Sequence, residues 1–131
     1  MRIKNIAAAS VTALAAIAAV LATGAPAQAA TTKFCNISFE FAGNGCFYST
    51  GDKFTVQDMR ADGLRTVLEW RTTDGRSGEC HDSNGANNPP TTCDYDLKEN
   101  EVVVFYLENR NGATGAPSNM GQAITAWTSG R

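Results

Sequence analysis

The chain has 131 residues, with eleven basic, thirteen acidic and one histidine, for a formal net charge of −2. Its Lys and Arg are scattered, so the basic footprint of a nucleic-acid binder is absent, and attachment to anionic membrane surfaces is disfavoured for the same reason. The length suits one domain with a modest core.

Arg2 and Lys4 open the chain, an Ala/Val/Ile/Leu run extends from Ile6 to Ala22, and Ala27-Gln28-Ala29 follows. A positive start, an apolar run and an Ala-x-Ala site predict a secretory signal peptide over residues 1–29, cleaved after Ala29. The run is Ala-rich, contains Ser10 and Thr12, and falls short of the ~20 apolar residues of a membrane span. No stable membrane insertion of the mature chain is therefore expected. Residues 30–131 then form a single secreted, extracellular domain, expected to be a monomer. Loss of Arg2 and Lys4 leaves nine basic residues against thirteen acidic ones, a net charge of −4.

The mature chain reads as short strands between turns, with period-two alternation and no sustained helical period. In a first strand Cys35, Ile37, Phe39 and Phe41 fall on one side, and Asn36, Ser38 and Glu40 on the other. Phe54 and Val56 lead a second strand, and Leu64, Thr66, Leu68 and Trp70 mark one face of a third. A three-residue loop at Ala61-Asp62-Gly63 would set Phe54 against Trp70 and Val56 against Leu68, with Gly63 in the left-handed position. The same reasoning at Thr73-Asp74-Gly75 puts Cys80 beside Leu68 on the inward face. Val102 to Leu107 is apolar on both faces, which suits a central strand covered on each side. Gly112 to Ser118 reads as a loop, and Gln122 to Thr128, with Ile124 and Trp127, as the last strand. The predicted fold class is all-β, a small antiparallel β-sandwich or barrel stabilised by two disulfides.

All four cysteines, Cys35, Cys46, Cys80 and Cys93, lie in the mature part. An even count in an exported chain reads as two disulfides, although three pairings are possible. Sequential pairing, Cys35–Cys46 and Cys80–Cys93, is the simplest. It requires a wide loop at Gly43-Asn44-Gly45, because a two-residue turn there would set Cys46 against Gly43 and leave Cys35 too far away. Zinc is disfavoured because no Cys-x-x-Cys spacing occurs, and neither a metal nor another cofactor is expected.

His81, Asp82, Asn84, Asn87, Asn88, Pro89 and Pro90 lie between Cys80 and Cys93. A disulfide at the base and the Pro89-Pro90 pair, which pushes Asn88 into extended backbone, would order this loop before binding and lower its entropic cost. It is the candidate binding loop; a stapled connector is the plainer reading. As a catalytic base His81 would need a nucleophile and an orienting group converging on one point, and Asp82 and Ser83 are only its neighbours in sequence. A solvated loop histidine is expected, and no catalytic residue is assigned. Asp94, Asp96, Glu99 and Glu101 form an acidic run in which nothing selects the spaced pair a glycosidase needs. Calcium would suit such oxygen ligands, but the EF-hand pattern is missing. Asn36-Ile37-Ser38 matches a glycosylation sequon and reads as a chance match within a strand.

Three resemblances follow from particular residues. Gly51-Asp52-Lys53-Phe54-Thr55-Val56-Gln57-Asp58, then Ala61-Asp62-Gly63, the Asn/Gly loop from Cys80 to Cys93 and the late apolar strand resemble small secreted actinomycete proteins of uncharacterised function. That likeness implies an exported β domain. Trp70-Arg71-Thr72 is similar to the Trp-Arg-Tyr triplet of actinomycete proteinaceous α-amylase inhibitors, with Thr72 in place of tyrosine and the triplet between the second and third cysteines. Asn87-Asn88-Pro89-Pro90-Thr91-Thr92 resembles the calcium motif of microbial βγ-crystallins, with Thr92 where that family has serine. The function expected is a non-enzymatic extracellular binding or inhibitor module whose partner is an extracellular protein. A structural or cell-envelope protein and a carboxylate-dependent hydrolase are the alternatives.

Overall fold

The structure, a computed structural model, describes residues 31–128. The expected signal peptide lies outside the described residues. Eight strands are present among them: β1 (Lys33–Ile37), β2 (Gly43–Tyr48), β3 (Lys53–Asp58), β4 (Arg65–Thr72), β5 (Ser77–His81), β6 (Thr91–Asp94), β7 (Val102–Arg110) and β8 (Ile124–Trp127). They form two four-stranded antiparallel sheets, ordered β1-β2-β3-β6 and β5-β4-β7-β8. The all-β expectation holds, and the sandwich is the form it takes.

Alternation decides which residues build the core. Phe47, Phe54 and Val56 face inward from the first sheet, and Leu68, Trp70, Val103, Phe105 and Leu107 from the second. Phe54 is the hub: its ring lies 4.8 Å from Phe47, stacks on Trp70 at 5.6 Å and meets Phe105 edge-on at 6.1 Å. Such offset and edge-on pairs add about 0.5–1.5 kcal/mol each beyond the area they bury. Gly45 lets the sheets approach, because a Cβ there would come within 2.9 Å of the Leu68 and Leu107 side chains.

The predicted contact between Phe54 and Trp70 exists, but not in a hairpin. β3 pairs with β2 and β6, whereas β4 pairs with β5 and β7. The connection around Ala61-Asp62-Gly63 crosses from one sheet to the other, so the two rings meet through the core. Both arrangements bring the same apolar residues together, which is why alternation alone does not separate them. At Thr73-Asp74-Gly75 the expected hairpin forms, with Leu68 opposite Cys80 and both buried.

The first strand is shorter than its apolar alternation suggests. β1 stops at Ile37, and a 3-10 turn takes over at Phe39–Phe41. Glu40 (φ 57°) and Phe41 (φ 56°) are left-handed, and the Ser38 N–H donates to the Gly43 carbonyl across the turn. Phe39 and Phe41 therefore leave the strand face and stand 64% and 72% exposed. β7 is central as expected, but Val102, Val104 and Tyr106 on its outer face are only half-buried. The last strand is trimmed to Ile124–Trp127, with Thr128 capping its end by an N–H bond to the Glu101 carbonyl.

Candidate functional site

The disulfides are sequential, Cys35–Cys46 and Cys80–Cys93. Cys35 stands directly opposite Cys46 on neighbouring strands. The wide loop that this pairing needs spans residues 38–42, while Gly43, Asn44 and Gly45 already belong to β2. Cys80 belongs to the edge strand β5 of one sheet and Cys93 to the edge strand β6 of the other. Their disulfide therefore closes one side of the sandwich, and the loop it spans is the crossover between sheets.

The residues of that loop point largely at one another. His81 is the last residue of β5 rather than a loop residue, and its Nε2 lies 2.7 Å from Glu79 Oε2. Outward alternation along β5 places both side chains on the same face, which is why the histidine is not freely solvated. Asp82 is completely buried. Its Oδ2 accepts the Asp58 N–H at 2.6 Å and its Oδ1 the Thr91 hydroxyl at 3.1 Å. Asn84 donates to the Pro89 carbonyl at 3.0 Å, and Asn88 to the Asn84 carbonyl at 2.6 Å. Asn87 sits in a left-handed bend (φ 70°) and, with Pro89 and Pro90, is exposed at the tip. The loop is braced by its own amides, as a connector would be, and its exposed residues include Ser83, Asn84 and Asn88 beside the tip.

Three loops meet at this end of the sandwich around an open cleft of about 640 Å³, lined by Asp58, Arg60, Leu64, Arg65, Asp82 and Gly85 among others. Asp58 is nearly fully buried there. Burial pushes its carboxyl above the ordinary value, opposed by the Arg60 N–H, with Asp62 and Asp82 adding to the rise.

The acidic run does not converge. Asp94 lies 3.8 Å from Lys53, Lys98 lies 3.4 Å from Glu101, and Glu101 also takes the Thr73 hydroxyl. Asp52, beneath the run, accepts the Leu97 N–H at 2.9 Å. Burial raises its carboxyl, the Leu97 bond opposes this, and Glu99, Asp96 and Asp94 add to the rise. Among the described residues no three His, Cys, Asp or Glu side chains are grouped to hold a metal ion.

A larger polar constellation lies on the outer face of the second sheet. Arg110 bonds Glu69, Glu108 and Glu79, the last at 3.0 Å, while the Tyr106 hydroxyl donates to Glu69. Burial and the bond to Glu69 push the Tyr106 hydroxyl up to about 12. Burial also raises Glu108, against the hydrogen bond from Arg110. Glu79 stands at the exposed margin of this network; partial desolvation pushes its carboxyl up, but hydrogen bonds from Arg110 and His81 outweigh it and hold the carboxyl below its ordinary value. One guanidinium facing three carboxylates suits a fastening across β4, β5 and β7 better than a nucleophile held ready. The signal for it in the sequence is the alternation Tyr106, Glu108, Arg110 matched by Glu79 and His81; the register that joins them with Glu69 is not local.

The most open apolar surface lies at the opposite sandwich edge. Ile37, Phe39, Phe41 and Met120 are each about half exposed or more. They line a groove of about 450 Å³ together with Asn36, Ser38, Glu40, Gly121 and Gln122. The Phe39 N–H donates to the Asn119 carbonyl at 3.1 Å, and the Asn36 amide to the Gln122 carbonyl, so both walls are tied together. Arg60 braces the turn from behind, with 2.7 Å to the Glu40 carbonyl and 3.2 Å to its carboxylate. Left-handed backbone at a bulky residue such as Phe41 is unfavourable and is maintained only by its surroundings. Alternation assigned these phenylalanines to a strand; the left-handed pair, which neither contains glycine, gave no local signal.

Together these features define a small disulfide-linked antiparallel β-sandwich with one braced apolar face. No protein-family model, curated protein or solved structure matches the chain.

Proposed function

We propose that the protein is a non-enzymatic extracellular binding module, an inhibitor of another protein being one form this takes, and that the Phe39/Phe41/Met120 face is its contact surface. The observation behind this reading is that two phenylalanines are turned outward at a turn whose left-handed residues, Glu40 and Phe41, are braced by Arg60. A monomer's largest exposed apolar patch is often functional, and a preordered surface loses less entropy on binding. Two disulfides suit an oxidising compartment and thus export. Trp70 and Thr72 are both buried, so recognition through Trp70-Arg71-Thr72, the triplet similar to that of the amylase inhibitors, would fall to Arg71 alone.

The test is affinity capture from culture supernatant with three immobilised forms: wild type, Phe41→Asp, and a variant with residues 83–90 replaced by Gly/Ser. Phe41→Asp is expected to lose a specific captured protein at least tenfold while its melting temperature stays within about 3 °C, because the site is exposed. A protein retained by Phe41→Asp but lost by the loop variant would transfer the contact surface to the Cys80–Cys93 loop.

A further inference from the structure

We infer that the groove between the 39–41 turn and Met120 receives an uncharged, apolar stretch of a partner polypeptide. This rests on the binding-module reading and specifies what the face recognises.

Charge narrows the occupant first. Among the described residues the ionic groups at the groove are Glu40 and the Arg60 behind it, and these neutralise each other at 3.2 Å. The remaining wall is apolar or neutral: Ile37, Phe39, Phe41, Met120, Asn36 and Gln122. A charged side chain entering there would be desolvated with no counter-charge. The Gln122 side-chain amide makes no hydrogen bond among the described residues and lies on the rim. It can both donate to and accept from a peptide backbone, while the apolar walls take alternate side chains, the usual division of labour in extended-peptide recognition.

Area and headgroup chemistry argue against the other occupants. At ~150–250 Å² for an aromatic side chain, the exposed parts of these four residues amount to on the order of 500 Å². A stable interface between two folded proteins needs about 800 Å² per partner, so this patch by itself is too small to hold a dimer. It is matched instead by a short extended segment lying in the groove, with any further area in a complex coming from outside the patch. Surface helices and anchors that bind anionic lipid bring Lys or Arg to the membrane, and here Arg60, the cation beside the groove among the described residues, is already held by Glu40.

The probe is an end-capped hexapeptide of alternating Val and Thr with one central Phe, fluorescently labelled and titrated with the disulfide-bonded protein. A control peptide carries Glu in place of each Val. Saturable binding of the uncharged peptide is expected, weakened at least tenfold by Met120→Glu and by Phe41→Asp, with the control peptide at least tenfold weaker. Both positions are exposed, and unchanged melting curves would show that the variants fold. Equal binding of the two peptides, or no saturable binding at millimolar protein, would overturn the assignment. So would Phe41-dependent co-sedimentation with phosphatidylcholine vesicles in place of peptide binding, which indicates a lipid occupant, or a Phe41-dependent doubling of mass in sedimentation, which indicates a second copy. If the peptide fails while Phe41-dependent capture from supernatant persists, the binding module stands and only its occupant is wrong. If capture fails as well, the binding reading itself falls.

Discussion

Asp82 is the residue whose position most changes its meaning. In sequence it neighbours the single histidine in a polar loop and looks available to a ligand. In the fold it has no exposed surface and spends both carboxylate oxygens on the Asp58 N–H and the Thr91 hydroxyl. Asp82→Ala would leave a buried backbone donor without an acceptor, and the expected loss is about 2–4 kcal/mol, the range for a charge-assisted bond plus a stranded group. Asp82→Asn, which keeps an acceptor oxygen, should lose about half as much. Urea denaturation measures both, and equal stability of Asp82→Ala and wild type would show that water replaces the carboxylate. Phe41 is the converse case. Alternation placed it on one side of a first strand, and its backbone turns it outward instead, because strand period assumes that the strand continues.

At the scale of elements, the turn chemistry at Thr73-Asp74-Gly75 was sufficient to register β4 against β5, since a short loop leaves few geometries. The loop at Ala61-Asp62-Gly63 carries similar residues but joins different sheets, and nothing within it states that difference. The disulfides show a parallel contrast. Cys35–Cys46 fastens neighbouring strands already joined by a ladder, whereas Cys80–Cys93 ties one sheet to the other. Replacing Cys80 and Cys93 together by Ser is expected to cost about 3 kcal/mol through the unfolded chain alone, from a loop of this length. Amide exchange in β5 and β6 should accelerate more than in β2 and β3, because the sandwich would open at that edge. Uniform acceleration across all strands would show instead that this edge does not open separately.

For the whole molecule, buried acids set the pH response. Asp52, Asp58 and Glu108 have folded-state values raised above their ordinary 3.8, 3.8 and 4.5, with burial the first cause in each. The native state therefore holds protons that the unfolded chain has released, and between the ordinary and raised values stability rises as pH falls. Glu79 acts in the opposite sense: its contribution is present above the unfolded value of 4.5 and is lost as pH falls through its lowered folded value. The melting temperature should accordingly peak in mildly acidic solution, between about pH 4.5 and neutrality. Asp52→Asn should raise it at pH 7 by several degrees, about 1 kcal/mol, because the buried charge goes while an acceptor for the Leu97 N–H remains and the left-handed φ of 50° tolerates Asn. A melting temperature that falls steadily from pH 7 to pH 4 would contradict this sign.

From the sequence alone came the all-β class, most strands, the sequential cysteine pairing as the simplest choice, and the exclusion of a basic binding surface. Each depends on local quantities: alternation, turn residues, spacing and charge. Only the tertiary structure decided which strands share a sheet, that the Cys80–Cys93 loop is a crossover braced from within, and that Phe39 and Phe41 face solvent. Those outcomes depend on contacts between residues far apart in the chain, such as Asp82 with Asp58 and Arg60 with Glu40, whose geometry no short stretch of sequence contains.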